Sequence, residues 1–178
     1  MKAFKTSGAI LLLLVSYARA SADMEVQACF SPQGNCAGHI IREIEGAKKE
    51  LLVAVYAFTS DELAVALAEA KKRGVAVQVV IDRDFDARIE RSRGKFLEAH
   101  KIPVRRVSGL KPNVQDSDPG LMHQKFAVID RKKLFTGSYN WTQSAERIND
   151  ENLLLFRDAG PLAEEYRKIF LQLWERKS

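Results

Sequence analysis

The chain has 178 residues, 46% of them hydrophobic, which is enough for one domain with a sizeable core, and no linker or low-complexity stretch divides it. Its 28 Lys and Arg against 23 Asp and Glu give a formal charge of +5, too even a balance for nucleic-acid binding to be read from net charge alone. Two cysteines are a poor signal for a structural zinc site.

The first 22 residues, MKAFKTSGAILLLLVSYARASA, start with Lys2 and Lys5, run apolar from Ala9 to Val15 and end in small residues at Ala18, Ala20 and Ala22. A positive start, an apolar run too short for a bilayer and a small-x-small end are the features of a cleaved export signal. Cleavage after Ala20 or Ala22 fits the spacing equally; Ala22 is preferred, leaving residues 23–178 as a single domain that begins DMEVQACF. The rival, an uncleaved anchor, is weakened by the short apolar run. Cleavage removes Lys2, Lys5 and Arg19 and no acidic residue, so the charge falls by three from +5 to +2. The expected location is periplasmic or secreted, with no stable membrane insertion once the signal is gone.

MEVQACF alternates as a short strand. Cys29 and Cys36 enclose the turn-rich FSPQGN; in an exported chain they are a candidate disulfide, and whether they are bonded stays open because spacing does not give the Cα separation. From Ala37 to Lys49, Ile40, Ile41, Ile44 and Ala47 share one helical face. ELLVAVYAF is a nearly continuous apolar run, the mark of a strand buried on both faces. TSDELAVALAEAKKRG then offers Thr59 or Ser60 as N-cap, acids in the first turn, bases in the last and Gly74 at the end. VAVQVVID reads as a second buried strand, a helix is expected over roughly 87–99, and IPVRRV reads as a third strand. In DRDFD, the carboxylates of Asp82, Asp84 and Asp86 could gather Mg²⁺, but capping of the next helix by Asp84 or Asp86 is the preferred reading.

A loop, SGLKPNVQDSDPG, leads into LMHQKFAVID and LFTGSYN, two strands joined by a turn at RKK. WTQSAER, ENLLLF and residues 161–176 follow as a helical start, a strand and a terminal amphipathic helix. The alternation in the first half and the hairpin in the second predict an α/β fold: one domain whose mixed, partly parallel sheet carries helices on both faces.

The hairpin segment HQKFAVIDRKKLFTGSYN threads polar residues through two apolar strands. Strand parity puts His123 and Lys125 on one face, roughly 6.6 Å apart along the rise, and Ser138 with Asn140 on one face of the next strand. Lysine, serine and asparagine donate hydrogen bonds, and Gly137 admits close approach to the backbone, so the set suits a phosphate. Histidine adds a nucleophile or acid/base group usable near neutrality. Basic clusters at Lys71–Arg73, Arg88–Lys95, Arg105–Arg106 and Arg131–Lys133 are each weak evidence for a polyanion surface.

The spacing His123-x-Lys125-x4-Asp130-x6-Gly137-Ser138-x-Asn140 resembles the complete HKD signature of the phospholipase D superfamily, and CFSPQGNC, AVYAFTS, VVIDRDFD and ENLLLF stand in the order of its small bacterial single-motif endonucleases. That resemblance implies a phosphodiesterase working through a phosphohistidine without metal or other cofactor: His123 as nucleophile, Lys125, Ser138 and Asn140 on the phosphate oxygens, and Glu151 orienting the histidine. It counts Asp130 in the catalytic set, although parity turns Asp130 away from His123 and fits a brace of the turn better. The motif occurs once where the chemistry needs two histidines, so a homodimer with a shared site is expected; His39 and His100 lack the companion residues. The implied substrate is nucleic acid, DNA in the first place and RNA in the second, with a phospholipase D or cardiolipin hydrolase activity on lipid as the alternative.

Overall fold

The computed structural model describes residues 23–110 and 120–176; the expected export signal and most of the loop before Leu121 lie outside them. Seven strands form one sheet: β1 (Glu25–Ser31), β2 (Glu50–Val55), β3 (Ala76–Asp82), β4 (Val104–Val107), β5 (Lys125–Ile129), β6 (Lys133–Gly137) and β7 (Glu151–Arg157). Their order is β1-β7-β6-β5-β2-β3-β4; β2, β3 and β4 run parallel, and every other pairing is antiparallel. The helices are α1 (Cys36–Glu45), α2 (Asp61–Lys72), α3 (Arg83–Arg88), α4 (Gly94–Ala99), α5 (Gln143–Arg147) and α6 (Gly160–Glu175). This is the mixed sheet with helices on both faces that the sequence pattern predicts.

The buried runs explain the layering. In β2, Leu51, Val53 and Val55 join a core with Ile40 and Ile44 of α1, Leu63 and Leu67 of α2 and Leu97 of α4. The alternate residues Leu52 and Ala54 face the other way, against Ala163, Phe170 and Leu173 of α6. The hairpin strands are covered likewise: Ala127, Ile129 and Phe135 lie in the first core, Phe126, Val128 and Leu134 in the second. Residues 126–129 of β5 are covered on both faces, so the polar set expected on the hairpin is left open only at the strand ends.

Local signals set most boundaries. Ser60 caps α2, its hydroxyl accepting from Leu63 N, and Gly74 beyond the helix takes a φ of +91°. The helix expected over 87–99 is instead two short helices. Asp82, rather than Asp84 or Asp86, caps the first, accepting from Phe85 N at 2.9 Å. Asp86 accepts from Ser92 and from Arg106, and a Cβ on Gly94 would lie 2.5 Å from its Oδ1. The chain breaks at residues 89–93 so that Ser92 and the bare Gly94 can reach that carboxylate. Cys29 and Cys36 are bonded, with Cα atoms 5.8 Å apart, joining β1 to the start of α1.

Candidate active site

Six residues line one open cavity of about 420 Å³: His123, Lys125, Gly137, Ser138, Asn140 and Glu151. They converge from strand ends. His123 precedes the first residue of β5, Ser138 and Asn140 follow the last residue of β6, and Glu151 opens β7. A face of a packed sheet is filled by its helices, whereas the ends of adjacent strands leave backbone and side chains open to a ligand.

Each polar group is oriented by what it already bonds. Asn140 Oδ1 accepts from Ala57 N at 3.3 Å, which leaves the amide NH₂ as a donor to the cavity. Ser138 Oγ accepts from Asn152 N at 3.0 Å and Asn152 Nδ2 at 3.3 Å, so its proton is free to donate. Lys125 Nζ donates to the His123 carbonyl at 2.8 Å and lies 5.4 Å from the centre of the Tyr56 ring. Burial lowers the Lys125 ammonium below the ordinary lysine value, and the nearby Glu151 carboxylate opposes that shift. Glu151 accepts from Asn149 Nδ2 at 3.2 Å. Within one chain the acid expected to orient His123 thus sits in the same cavity but bonds Asn149.

The loop from Gly137 to Trp141 is held on both sides. Ser138 N and Tyr139 N donate to Asn152 O; Trp141 N donates to Ala57 O, and Trp141 O accepts from Thr59 N and Ser60 N. Buried Tyr139 donates its hydroxyl to Glu146 Oε2 at 2.6 Å, the same oxygen that accepts Ala37 N of α1. Gly137 is needed for packing: its φ is +151°, and a Cβ would stand 2.3 Å from Asn152 O.

Asp130 lies outside this cluster, seven residues beyond His123 at the other end of β5. Its carboxylate accepts from Lys48 N, Lys49 N and Glu50 N at 2.9, 2.7 and 3.0 Å, and it lines a separate cavity with Lys49, Glu50, Ala76 and Arg131. Burial pushes its carboxyl up, but the three backbone donors and Lys133 outweigh that and hold it below the usual carboxylate range. Its φ of 52° is one that aspartate tolerates. The structure thus places Asp130 as a brace of the backbone around the turn, away from the cavity that holds His123.

The remaining candidates are otherwise engaged. His39 meets Arg42 and Gln27, and His100 packs on Phe96 with its Nδ1 2.8 Å from Phe96 O. Among the described residues no group of three or more His, Cys, Asp or Glu is placed to hold a metal ion; Asp82 and Asp86 bond protein donors. Many of the basic clusters are tied into the fold. Arg106 pairs with Asp86 and Glu98, Lys133 with Glu43, Arg131 with Glu50 and Lys72 with Glu69, while Arg105 donates to Trp174 O.

Sequence reading missed the contacts of Tyr56 with His123 and of Asn152 with Ser138, and it weighed Asp82 as a metal ligand where the structure has it accepting from Met122 N beside His123. Tyr56 stands in AVYAFTS and Asn152 in ENLLLF, but only pairing across the sheet reveals what they touch.

A family model described as "Cardiolipin synthase, PLD-like domain" matches residues 40–174. The chain belongs to the phospholipase D superfamily. Curated relatives include human "Mitochondrial cardiolipin hydrolase", 36% identical over 83% of this chain, and "Phospholipase D" of Rickettsia prowazekii, 33% identical over 84%. The chain spans 53% and 65% of their respective lengths. Among solved structures of the superfamily, Nuc from Salmonella typhimurium aligns with a TM-score of 0.74 at 29% identity, covering 85% of this chain and 95% of that one. NucT from Helicobacter pylori aligns with a TM-score of 0.81 at 27% identity, covering 86% and 97%.

Proposed function

We propose that the chain is an exported, metal-independent endonuclease of low sequence specificity that hydrolyses nucleic acid, DNA in the first place and RNA in the second, at a site shared by two copies. The observation that carries this reading is the single cavity in which Lys125, Ser138 and Asn140 present donors beside His123, with the acceptor atoms of Ser138 and Asn140 already occupied. Such a cavity binds a phosphodiester through its non-bridging oxygens and sets a nucleophile beside the phosphorus.

An imidazole nitrogen of His123 attacks phosphorus; a P–N bond forms as the P–O bond to the leaving group breaks, and a second histidine protonates the leaving oxygen. That histidine then takes a proton from water, whose oxygen attacks phosphorus and releases His123. Among the described residues one chain supplies one such histidine, so the second comes from another copy across a two-fold axis. Asp82 and Asp86 give their oxygens to protein donors, which supports a phosphate site built without them.

Nuc and NucT match over nearly their whole length, which supports the minimal nuclease reading. The names of the curated relatives support a second reading, hydrolysis of a phospholipid or cardiolipin. No described helix is long and apolar enough to cross a membrane. One preparation assayed on plasmid DNA and on phosphatidylcholine and cardiolipin vesicles, each with and without excess EDTA, separates the readings: nicking of plasmid in both conditions is expected. Vesicle hydrolysis without nicking would favour lipid, and loss of all cleavage on adding EDTA would refute the metal-free scheme. Sedimentation should give twice the chain mass, and His123→Asn should remain a folded dimer while losing turnover by more than about 10³-fold.

A further inference from the structure

Residues 122–125 are gripped one by one from elements remote in sequence. Met122 N donates to the buried Asp82 Oδ2 at 2.9 Å, and Asp82 Oδ1 accepts from Phe85 N. The Phe85 ring packs on Tyr56 at 5.5 Å between centroids, and Tyr56 packs on His123 at 4.8 Å. Tyr56 N donates to Gln124 O at 2.9 Å, continuing the β2–β5 pairing past Val55 and Lys125. The same ring lies under the Lys125 ammonium at 5.4 Å. One aromatic side chain therefore touches both the nucleophile and the phosphate-binding cation.

We infer that Tyr56, backed by Phe85 and Asp82, is a positioning residue that sets the His123 imidazole and the Lys125 ammonium relative to each other for attack on the phosphodiester. The ring does this, not the hydroxyl: it limits rotation of the exposed imidazole by contact, and its electron-rich face attracts the ammonium. Among the described residues no carboxylate bonds His123, which makes this contact the main local restraint on its side chain. The inference rests on the proposed phosphodiesterase reading but is indifferent to whether the natural substrate is nucleic acid or lipid.

The test compares Tyr56→Phe and Tyr56→Leu with wild type on bis(4-nitrophenyl) phosphate, a diester with neither base nor lipid. Tyr56→Leu is expected to lower kcat about 10- to 100-fold, the scale of a misplaced reacting group, with KM within about twofold. Tyr56→Phe should stay within about twofold of wild type in both. Proton NMR of the full chain supplies a readout independent of turnover. The His123 ring protons, identified by their loss in His123→Asn, should carry a ring-current shift that persists in Tyr56→Phe and disappears in Tyr56→Leu. An unchanged kcat in a folded Tyr56→Leu, an equal loss in Tyr56→Phe, or a His123 resonance indifferent to Tyr56→Leu would each overturn the inference. If wild type hydrolyses no diester while the ring-current signature is intact, the phosphodiesterase reading fails and the contact between Tyr56 and His123 stands.

Discussion

Replacing Asp130 by alanine is expected to weaken the fold while leaving the chemistry in place. The carboxylate receives three backbone N–H groups at 2.7–3.0 Å. Hydrogen bonds to a charged group contribute about 1.5–3 kcal/mol each when buried, but water can reach these donors, so the three together are worth about 2 kcal/mol. Alanine at a φ of 52° adds about 1 kcal/mol of backbone cost that aspartate largely avoids. The total, about 3 kcal/mol, lowers the midpoint of thermal unfolding by roughly 6–12 °C for a domain of this size. Asp130→Asn, which keeps the Oδ1 acceptor for Lys49 N and Glu50 N, should lose only about 1 kcal/mol. The pH dependence has a definite sign. Because the folded carboxyl is held low, its stabilisation is complete above the unfolded aspartate value and is lost as pH falls through the lower folded one. Asp130→Asn should therefore flatten the acid end of the stability curve. Urea unfolding measures the stabilities, and diester hydrolysis well below the midpoint measures kcat, expected to stay within about threefold because Asp130 is about 23 Å along the strand from His123. A fall in kcat beyond 100-fold with an unchanged unfolding midpoint would refute the brace and return Asp130 to the chemistry.

The lowered Lys125 ammonium predicts a fall in kcat/KM on the alkaline side that begins below the ordinary lysine value, because the cation that holds the phosphate is lost as pH rises. Lys125→Arg, which cannot deprotonate there, should retain binding of a phosphate analogue at high pH, as measured by calorimetry. Tyr139→Phe removes the hydroxyl from Glu146 and should cost about 1.5 kcal/mol in urea unfolding, since the part-buried bond has a carboxylate acceptor. Gly137→Ala meets Asn152 O at 2.3 Å and should cost at least about 2 kcal/mol and disturb the loop carrying Ser138; a variant as stable and active as wild type would contradict the close packing.

Much of this molecule is local. Apolar runs and helical periodicity mark β2, β3, α2 and α6, Ser60 and Gly74 mark the ends of α2, and the HKD spacing names His123, Lys125, Ser138 and Asn140, because each signal depends on neighbours within a few turns of chain. Strand parity groups His123 with Lys125 and Ser138 with Asn140, which do share one cavity, but does not say where along the hairpin they stay open. It cannot register that α6 and the helices α1 and α2 cover both faces of β5, which leaves the strand ends as the place where donors stay open. At the break after Arg88, Asp86 takes donors both from Ser92 nearby and from Arg106, twenty residues away, and the second partner is not legible in the helical pattern of 87–99. Tyr56 stands beside His123 only through the antiparallel register of β2 on β5, and Asp82 reaches Met122 only because β3 ends where β5 begins. Sequence determines the chemical inventory and its local shapes; which groups meet is decided by strand register and helix coverage, which arise from burial summed over the whole chain.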